Sequence, residues 1–125
     1  MRVSSTRRKE MLRLLEETYK GATTGLVFQS TFELLIAVIL SAQCTDIRVN
    51  IITARLFPEW NSAQKMLGLN TEQLEELIHD CGLFRAKAKN ILGACRLLVD
   101  EFDGIVPGTM EGLLRLPGVG RKTAN

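Results

Sequence analysis

The sequence predicts an all-α fold. Apolar residues recur at helical spacing along most of the chain, and no stretch of any length alternates between apolar and polar residues as a strand would. Residues that cap helix N-termini stand three positions before Glu or Gln at several points, which indicates where helices begin. The length of 125 residues, 46% hydrophobic and 24% charged, suits one globular domain with a core of its own.

The first predicted elements are a short helix, a loop and a second helix. Met11 to Leu15 form the short helix, and Lys20 to Gln29, rich in Gly and Thr, form the loop. Ser30 then stands three residues before Glu33, which is the spacing of a capping box. The helix that follows, Phe32 to Ala42, is apolar on nearly every face, so we expect it to lie in the middle of the core.

Shorter helices are predicted next. Thr45 caps a helix that ends near Leu56, because Pro58 stops it. Asn61 and Asn70 each stand three residues before a Gln and are predicted to cap two further helices. The helix after Asn70 has one apolar face and one acidic face, and we interpret the acidic face as solvated surface.

The longest predicted helix runs from Arg85 to Phe102, after a break at Gly82. Its first turns carry Arg85, Lys87 and Lys89, and its last turns carry carboxylates. This order opposes the helix dipole and costs on the order of a few tenths of a kcal/mol per exposed charge. Two explanations stay open: a phosphate backbone bound there, or an ordinary basic surface turn.

A short helix is predicted near the end of the chain. Asp103-Gly104 ends the long helix, Pro107-Gly108 makes a turn, and Thr109 to Arg115 form the short helix. Leu113 and Leu114 in this helix, and Leu116 just beyond it, are expected to face inward.

The last residues are typical of a helix, a tight turn and a second helix. Pro117 ends the first helix, Gly118 permits a positive φ, and Gly120 allows a backbone to approach without a Cβ in the way. Val119 is an apolar plug between the glycines, and Arg121 adds charge. The second helix begins near Gly120, so its free N–H groups and positive dipole end favour an anion, for which a DNA phosphate is the natural candidate.

The string Leu-Pro-Gly-Val-Gly-Arg-Lys-Thr-Ala at 116–124 resembles the helix-hairpin-helix glycosylase superfamily, and most closely the endonuclease III family. Residues 34–46 resemble that family's helix and Ser-Ala-Gln-x-Thr-Asp loop, and residues 82–88 resemble its Gly-Leu-aromatic turn. The resemblance covers the chain from about residue 11 onwards.

The resemblance implies a helical-barrel domain truncated at its C-terminus. We divide the chain into an N-terminal helix and loop, 1–30, and a glycosylase domain, 31–125. The helix-hairpin-helix motif lies at 109–125 and is incomplete.

The implied activity is DNA base excision repair by an N-glycosylase that removes oxidised pyrimidines and also cleaves abasic sites. Lys122 falls where family members that are both glycosylase and lyase place their nucleophile, an amine that attacks C1′ and forms a Schiff base before β-elimination. Its position in the first turn of a helix, beside Arg121, disfavours the ammonium form. The plainer alternative is a solvent-exposed or phosphate-binding lysine. In the related adenine-mismatch glycosylases this position resembles a serine.

The resemblance also implies a set of DNA contacts. Gln43 and Leu83 match residues that family members push into the space left by a flipped nucleotide. The plainer alternatives are a loop amide for Gln43 and a core leucine for Leu83. Arg85 and Lys87 join the hairpin residues 117–121 in the predicted DNA-binding set, whose partner is damaged double-stranded DNA.

The chain departs from the family pattern at its C-terminal end. It stops inside the second helix of the motif, so the family's catalytic aspartate and the four cysteines that hold a [4Fe–4S] cluster are absent. We expect that cluster in the complete family protein and no cofactor or metal in this chain. Cys44, Cys81 and Cys95 lack metal-ligand spacing and are predicted to be reduced thiols.

Two hypotheses therefore remain open. In one, the chain is the N-terminal part of a glycosylase and abasic-site lyase. In the other, it is a catalytically impaired fragment that only binds DNA, or a relative of the adenine-mismatch enzymes. We expect a monomer without membrane segments, located in the cytoplasm at the nucleoid of a prokaryote.

Overall fold

The computed structural model describes residues 26–42, 44–107 and 110–117, and helices account for the regular structure within these ranges. The helices are α1 (Thr31–Ser41), α2 (Asp46–Leu56), α3 (Ala63–Met66), α4 (Thr71–Ile78), α5 (Phe84–Glu101) and α6 (Met110–Leu114). No strand occurs in these ranges, which confirms the predicted all-α class. None of the helices in them is long and apolar enough to cross a membrane. The helix predicted at 11–15 lies outside the described residues.

Helix α1 lies in the centre of the core, as its sequence predicts. All nine residues from Phe32 to Leu40 are buried. The Oγ of Ser30 accepts the N–H of Glu33 at 3.1 Å, and the Glu33 carboxylate accepts the N–H of Gln29 at 2.9 Å. These bonds satisfy donors at the helix entrance, so the predicted start of α1 at this cap is confirmed.

Helices α1 to α5 form one packed unit. Helix α1 packs against α2 and α5, α4 packs against α2 and α5, and α3 packs against α5. Full burial of a large aliphatic side chain is worth about 1.5–3 kcal/mol, so this shared core holds the helices together. The largest fully buried side chains are Leu34, Leu35, Ile36, Leu40, Ile52, Leu56, Met66, Leu74, Ile78 and Ile91.

Helix caps confirm two of the three further predicted starts. The Oγ1 of Thr45 accepts the N–H of Arg48 at 3.2 Å at the start of α2. Asn70 and Gln73 form a reciprocal capping box at the start of α4. The cap predicted at Asn61 is wrong by one residue, because Ser62 accepts the Lys65 N–H and begins α3.

Helix α5 begins and ends on residues in the left-handed region. Leu83, with φ 61° and ψ 34°, precedes its first residue, so the positive φ falls on Leu83 and not on Gly82. At the other end, Asp103 and Gly104 have φ values of 56° and 76°, and the Gly104 N–H donates to the Leu98 carbonyl at 2.7 Å. This closure satisfies a carbonyl in the last turn, so the predicted stop at Asp103-Gly104 is confirmed.

The C-terminal end of α1 is capped by Lys87, a residue of α5. Lys87 is only 3% exposed. Its ammonium donates to the carbonyl of Leu40 at 2.9 Å and to that of Ala42, and it lies 3.1 Å from the Sγ of Cys81. A helix leaves its last carbonyls without partners, and here an ammonium with three donors supplies them at the negative end of the α1 dipole.

The prediction that Lys87 contacts DNA is therefore corrected. Its charge is turned inward onto backbone carbonyls and cannot reach a phosphate from that position. The carbonyls belong to residues more than forty positions away in sequence. The charge pattern of α5 alone therefore predicted that Lys87 lies at the surface.

An ion-pair cluster ties α2 to the end of α4. The Arg55 guanidinium donates to both carboxylate oxygens of Asp80, at 3.1 and 3.3 Å, and to the carbonyl of Leu77 at 2.8 Å. Arg48 lies 3.6 Å from the same carboxylate. The hydrogen bonds from Arg55 lower the pKa of Asp80 from 3.8 to about 2. The cluster holds the segment that leads into the Leu83 turn.

We predict that Lys87→Met lowers the free energy of unfolding by about 2–4 kcal/mol, because the buried Leu40 carbonyl keeps only the weak Cys81 thiol donor and the part-buried Ala42 carbonyl loses its ammonium donor. Lys89→Met, two residues along the same helix and exposed, should change it by less than about 0.5 kcal/mol. Urea unfolding followed by circular dichroism measures both. Equal losses in the two variants would contradict the capping role.

We predict that the ion pairs of Asp80 with Arg55 and Arg48 stabilise the fold at neutral pH and lose this effect in strong acid. The folded pKa of Asp80 is lower than its ordinary value of 3.8, so its contribution is complete above pH 4 and disappears as the pH falls through about 2. Asp80→Asn should therefore lower the thermal midpoint at pH 6 and have little effect near pH 2. A difference between the two proteins that persists unchanged at pH 2 would refute this assignment.

Candidate nucleic-acid interface

The turn before α5 presents Leu83 to solvent. Its side chain is 56% exposed, so the alternative that Leu83 is a core leucine is wrong. A residue with a side chain costs about 1–2 kcal/mol in the left-handed region, so the surrounding structure must hold this conformation. Its carbonyl accepts the backbone N–H of Lys87 at 3.0 Å, which starts the hydrogen-bond ladder of α5.

Two loops far apart in sequence meet at the end of α1. The thiol of Cys81, two residues before Leu83, donates to the Leu40 carbonyl at 3.3 Å, and Lys87 donates to the carbonyls of Leu40 and Ala42. Ala42 is the neighbour of Gln43 in the chain. The structure thus brings the Leu83 turn to the loop that carries Gln43, although Gln43 itself lies outside the described residues.

The two outer cations of α5 are exposed. The guanidinium of Arg85 lies over the ring of Phe84, 5.1 Å from its centroid, and Lys89 is exposed one turn further on. No acidic residue stands in the first turn of α5, and no side chain caps its N-terminus. Of the three basic residues predicted to form a surface here, Arg85 and Lys89 lie at the surface and Lys87 does not.

The entrance to the predicted hairpin packs closely on α5. A Cβ on Gly93, in the middle of α5, would lie 3.2 Å from the Cγ of Pro117, so the absence of a side chain permits this approach. Arg115 contacts Glu101 and lies 5.4 Å over the ring of Phe102. Gly93 was not among the predicted site residues, although a glycine inside a helical pattern is a signal of close packing.

The remaining predicted site residues follow Pro117 in the chain. Gly118, Val119, Gly120 and Arg121, and the candidate nucleophile Lys122, lie outside the described residues. Leu113 and Leu116, just before them, are buried as predicted, so the chain leading to the hairpin is anchored in the core.

The cysteines do not form a metal centre. Within residues 26–42, 44–107 and 110–117, no three His, Cys, Asp or Glu side chains are grouped as a metal ion would require. Cys95 is buried apart from the site, and burial raises its pKa to about 12. The three cysteines therefore do not fit a [4Fe–4S] cluster, which takes four ligands.

Comparison with known proteins agrees with this arrangement. The family model "HhH-GPD superfamily base excision DNA repair protein" matches residues 36–124. Endonuclease III of Synechocystis sp. is 55% identical over 119 residues, covering 95% of this chain and 54% of the relative. Endonuclease III of Escherichia coli K12 is 47% identical over 123 residues, covering 98% of this chain and 58% of the relative.

Solved structures give the same result. A trapped endonuclease III–DNA covalent intermediate has a TM-score of 0.77 and 42% identity, covering 99% of this chain and 58% of that one. A thermostable thymine-DNA glycosylase, with a TM-score of 0.71 at 21% identity, shares the fold. The chain spans about half the length of the curated relatives it matches. The predicted resemblance to the endonuclease III family is confirmed, and the chain belongs to the HhH-GPD superfamily of base excision DNA repair proteins.

Proposed function

We propose that this chain is the part of a base excision DNA glycosylase and abasic-site lyase that inserts into damaged double-stranded DNA and supplies the nucleophile. The observation that carries this proposal is the exposed Leu83, held in the left-handed region on a turn that Lys87 and Cys81 fasten to the loop of Gln43. An apolar side chain kept at the surface in a strained conformation is suited to enter a base stack.

The proposed wedges, Leu83 and Gln43, act when the target nucleotide leaves the DNA helix. Extrusion costs a few kcal/mol, and Leu83 and Gln43 would partly replace the lost stacking and pairing. Arg85 and Lys89 are exposed beside the Leu83 turn and would contact phosphates. The predicted hairpin residues 117–121 would add backbone N–H contacts to a further phosphate.

The proposed nucleophile is the side-chain amine of Lys122. The neutral amine forms a bond to C1′ as the glycosidic bond breaks, and the base departs with the electron pair. The nitrogen loses a proton, and the sugar ring then opens: the C1′–O4′ bond breaks, O4′ takes up a proton, and the nitrogen lone pair forms the C1′=N bond of the Schiff base. Removal of a C2′ proton then expels the 3′ phosphate and cuts the strand. The similar endonuclease III was solved as a trapped covalent intermediate with DNA, which supports this chemistry.

The substrate class that we propose is DNA containing oxidised pyrimidines, as in the family the chain resembles. At the position that matches Lys122, the residue in adenine-mismatch enzymes resembles a serine. The lysine here therefore favours the branch of the family that has lyase activity. We propose that the protein acts as a monomer in the cytoplasm, at the nucleoid. The [4Fe–4S] cluster is proposed only for the complete family protein.

Borohydride trapping tests the nucleophile. The 125-residue chain, mixed with abasic-site duplex and borohydride, should form a covalent complex, and Lys122→Ala should reduce trapping by about 100-fold or more, since one amine carries the reaction. Gel electrophoresis measures the yield. Binding without trapping would instead support a fragment that only binds DNA, and trapping that survives Lys122→Ala would exclude this amine.

Leu83→Gly separates the wedge role from folding. Glycine adopts a positive φ without strain, so the free energy of unfolding should stay constant or rise by up to about 1 kcal/mol. Affinity for abasic-site duplex should fall by about tenfold relative to undamaged duplex, because a buried leucine contact is worth about 1.5–3 kcal/mol. Val27→Ala, 63% exposed just before the other end of α1, is the matched control and should bind normally. Equal binding by both variants would remove Leu83 from the mechanism.

A further inference from the structure

Helix α5 carries a row of three exposed cations, and the third, Arg96, has no role in the proposed function. Arg85, Lys89 and Arg96 are all exposed. An α-helix turns by about 100° per residue, so Lys89 lies about 40° and Arg96 about 20° around the helix axis from Arg85. The three residues therefore lie on one face of α5, and we call them the basic row.

The basic row contains no acidic residue. Between Phe84 and Val99, α5 has no Asp or Glu, and its first carboxylate, that of Asp100, comes one turn after Arg96. In the parts of the chain that the structure describes, neither Lys89 nor Arg96 forms an ion pair. Their charges are therefore not offset by the described residues and remain available to an external anion.

The basic row runs between two segments that are proposed to contact DNA. It begins at Arg85, two residues after Leu83. Gly93 lies on the flank of the row, where an added Cβ would be 3.2 Å from the Cγ of Pro117. Pro117 directly precedes the predicted hairpin residues 118–121. The row thus starts at the Leu83 turn and passes the entrance to the hairpin before it reaches its third cation.

The length of the basic row suits the backbone of one DNA strand. A helix rises by about 1.5 Å per residue, which places Arg96 about 16 Å from Arg85 along the axis of α5. One strand of duplex DNA carries a phosphate about every 3.4 Å along the duplex axis. Several successive phosphates therefore fit along the row, and arginine and lysine side chains both bind phosphate.

We propose that the basic row binds the phosphate backbone of one DNA strand, and that Arg96 is its contact beyond the hairpin entrance. The DNA partner rests on the proposed function, to which the row adds Arg96 as a binding residue. Phosphate contacts carry no information about the bases. Arg96 should therefore hold intact and damaged duplex equally, whereas Leu83 acts only where a nucleotide is extruded.

The salt dependence of DNA binding tests the basic row. Fluorescence anisotropy gives the affinity of the 125-residue chain for a labelled duplex, undamaged or with one abasic site, between about 50 and about 200 mM KCl. Arg96→Gln should reduce the slope of log affinity against log salt concentration by about 0.9. It should weaken binding to both duplexes by the same factor, and Arg96→Lys should restore most of both losses.

Lys65→Gln is the matched control, because Lys65 is an exposed cation of α3, outside the row. It should leave the slope unchanged, and thermal unfolding should give the same midpoint for all variants. An unchanged slope for Arg96→Gln, an equal fall for Lys65→Gln, or a loss confined to the abasic duplex would each overturn the row while the proposed function stands. An unsubstituted chain that binds neither duplex would contradict the proposed function and the row together.

Discussion

The structure around the candidate interface depends on the Lys87 ammonium at the C-terminal end of α1. Helix α1 is buried along nine consecutive residues up to Leu40, so the Leu40 carbonyl needs a donor from within the protein. It has no basic residue in its last turn, and Ala42 ends it in an extended conformation without a glycine cap. The ammonium from the first turns of α5 takes this role. Because it spans α1 and α5, the same contact sets the position of both loops that carry the proposed wedges.

Local contacts explain why much of the fold could be predicted. The caps at Ser30, Thr45 and Asn70 join groups three residues apart, so their signals are contained in short strings of sequence. Asn61 and Ser62 are neighbours that both cap well, and sequence alone did not separate them. Lys87 differs, since its acceptors are backbone carbonyls more than forty residues away. Every residue has a backbone carbonyl, so no sequence pattern marks these acceptors. Lysine is rarely buried, so its charge is expected at the surface, whereas Lys87 is 3% exposed.

The candidate site was predictable to the extent that it resembles a known motif. Leu83 was found from its family turn, but its left-handed backbone was not, because the glycine beside it is the residue expected to adopt a positive φ. The packing of Pro117 on Gly93 also escaped prediction, since it joins a loop to the middle of a long helix. Both features depend on contacts between segments that are distant in sequence. The motif predicts that these segments are present, but not how they are positioned.

The three cations at the start of α5 have different roles. The sequence left open whether three cations at its start serve a phosphate backbone or form an ordinary surface. The structure divides them, since Lys87 offsets the negative end of α1, and Arg85 and Lys89 remain at the surface. Each phosphate contact contributes to the salt dependence of DNA binding, so two outward cations imply a weaker non-specific attraction here than three. Under the proposed function, with less charge beside the Leu83 turn, recognition at this edge would depend more on the shape of the two loops that Lys87 and Cys81 join. Under the proposed function, lesion recognition would therefore depend on the same contact that caps α1.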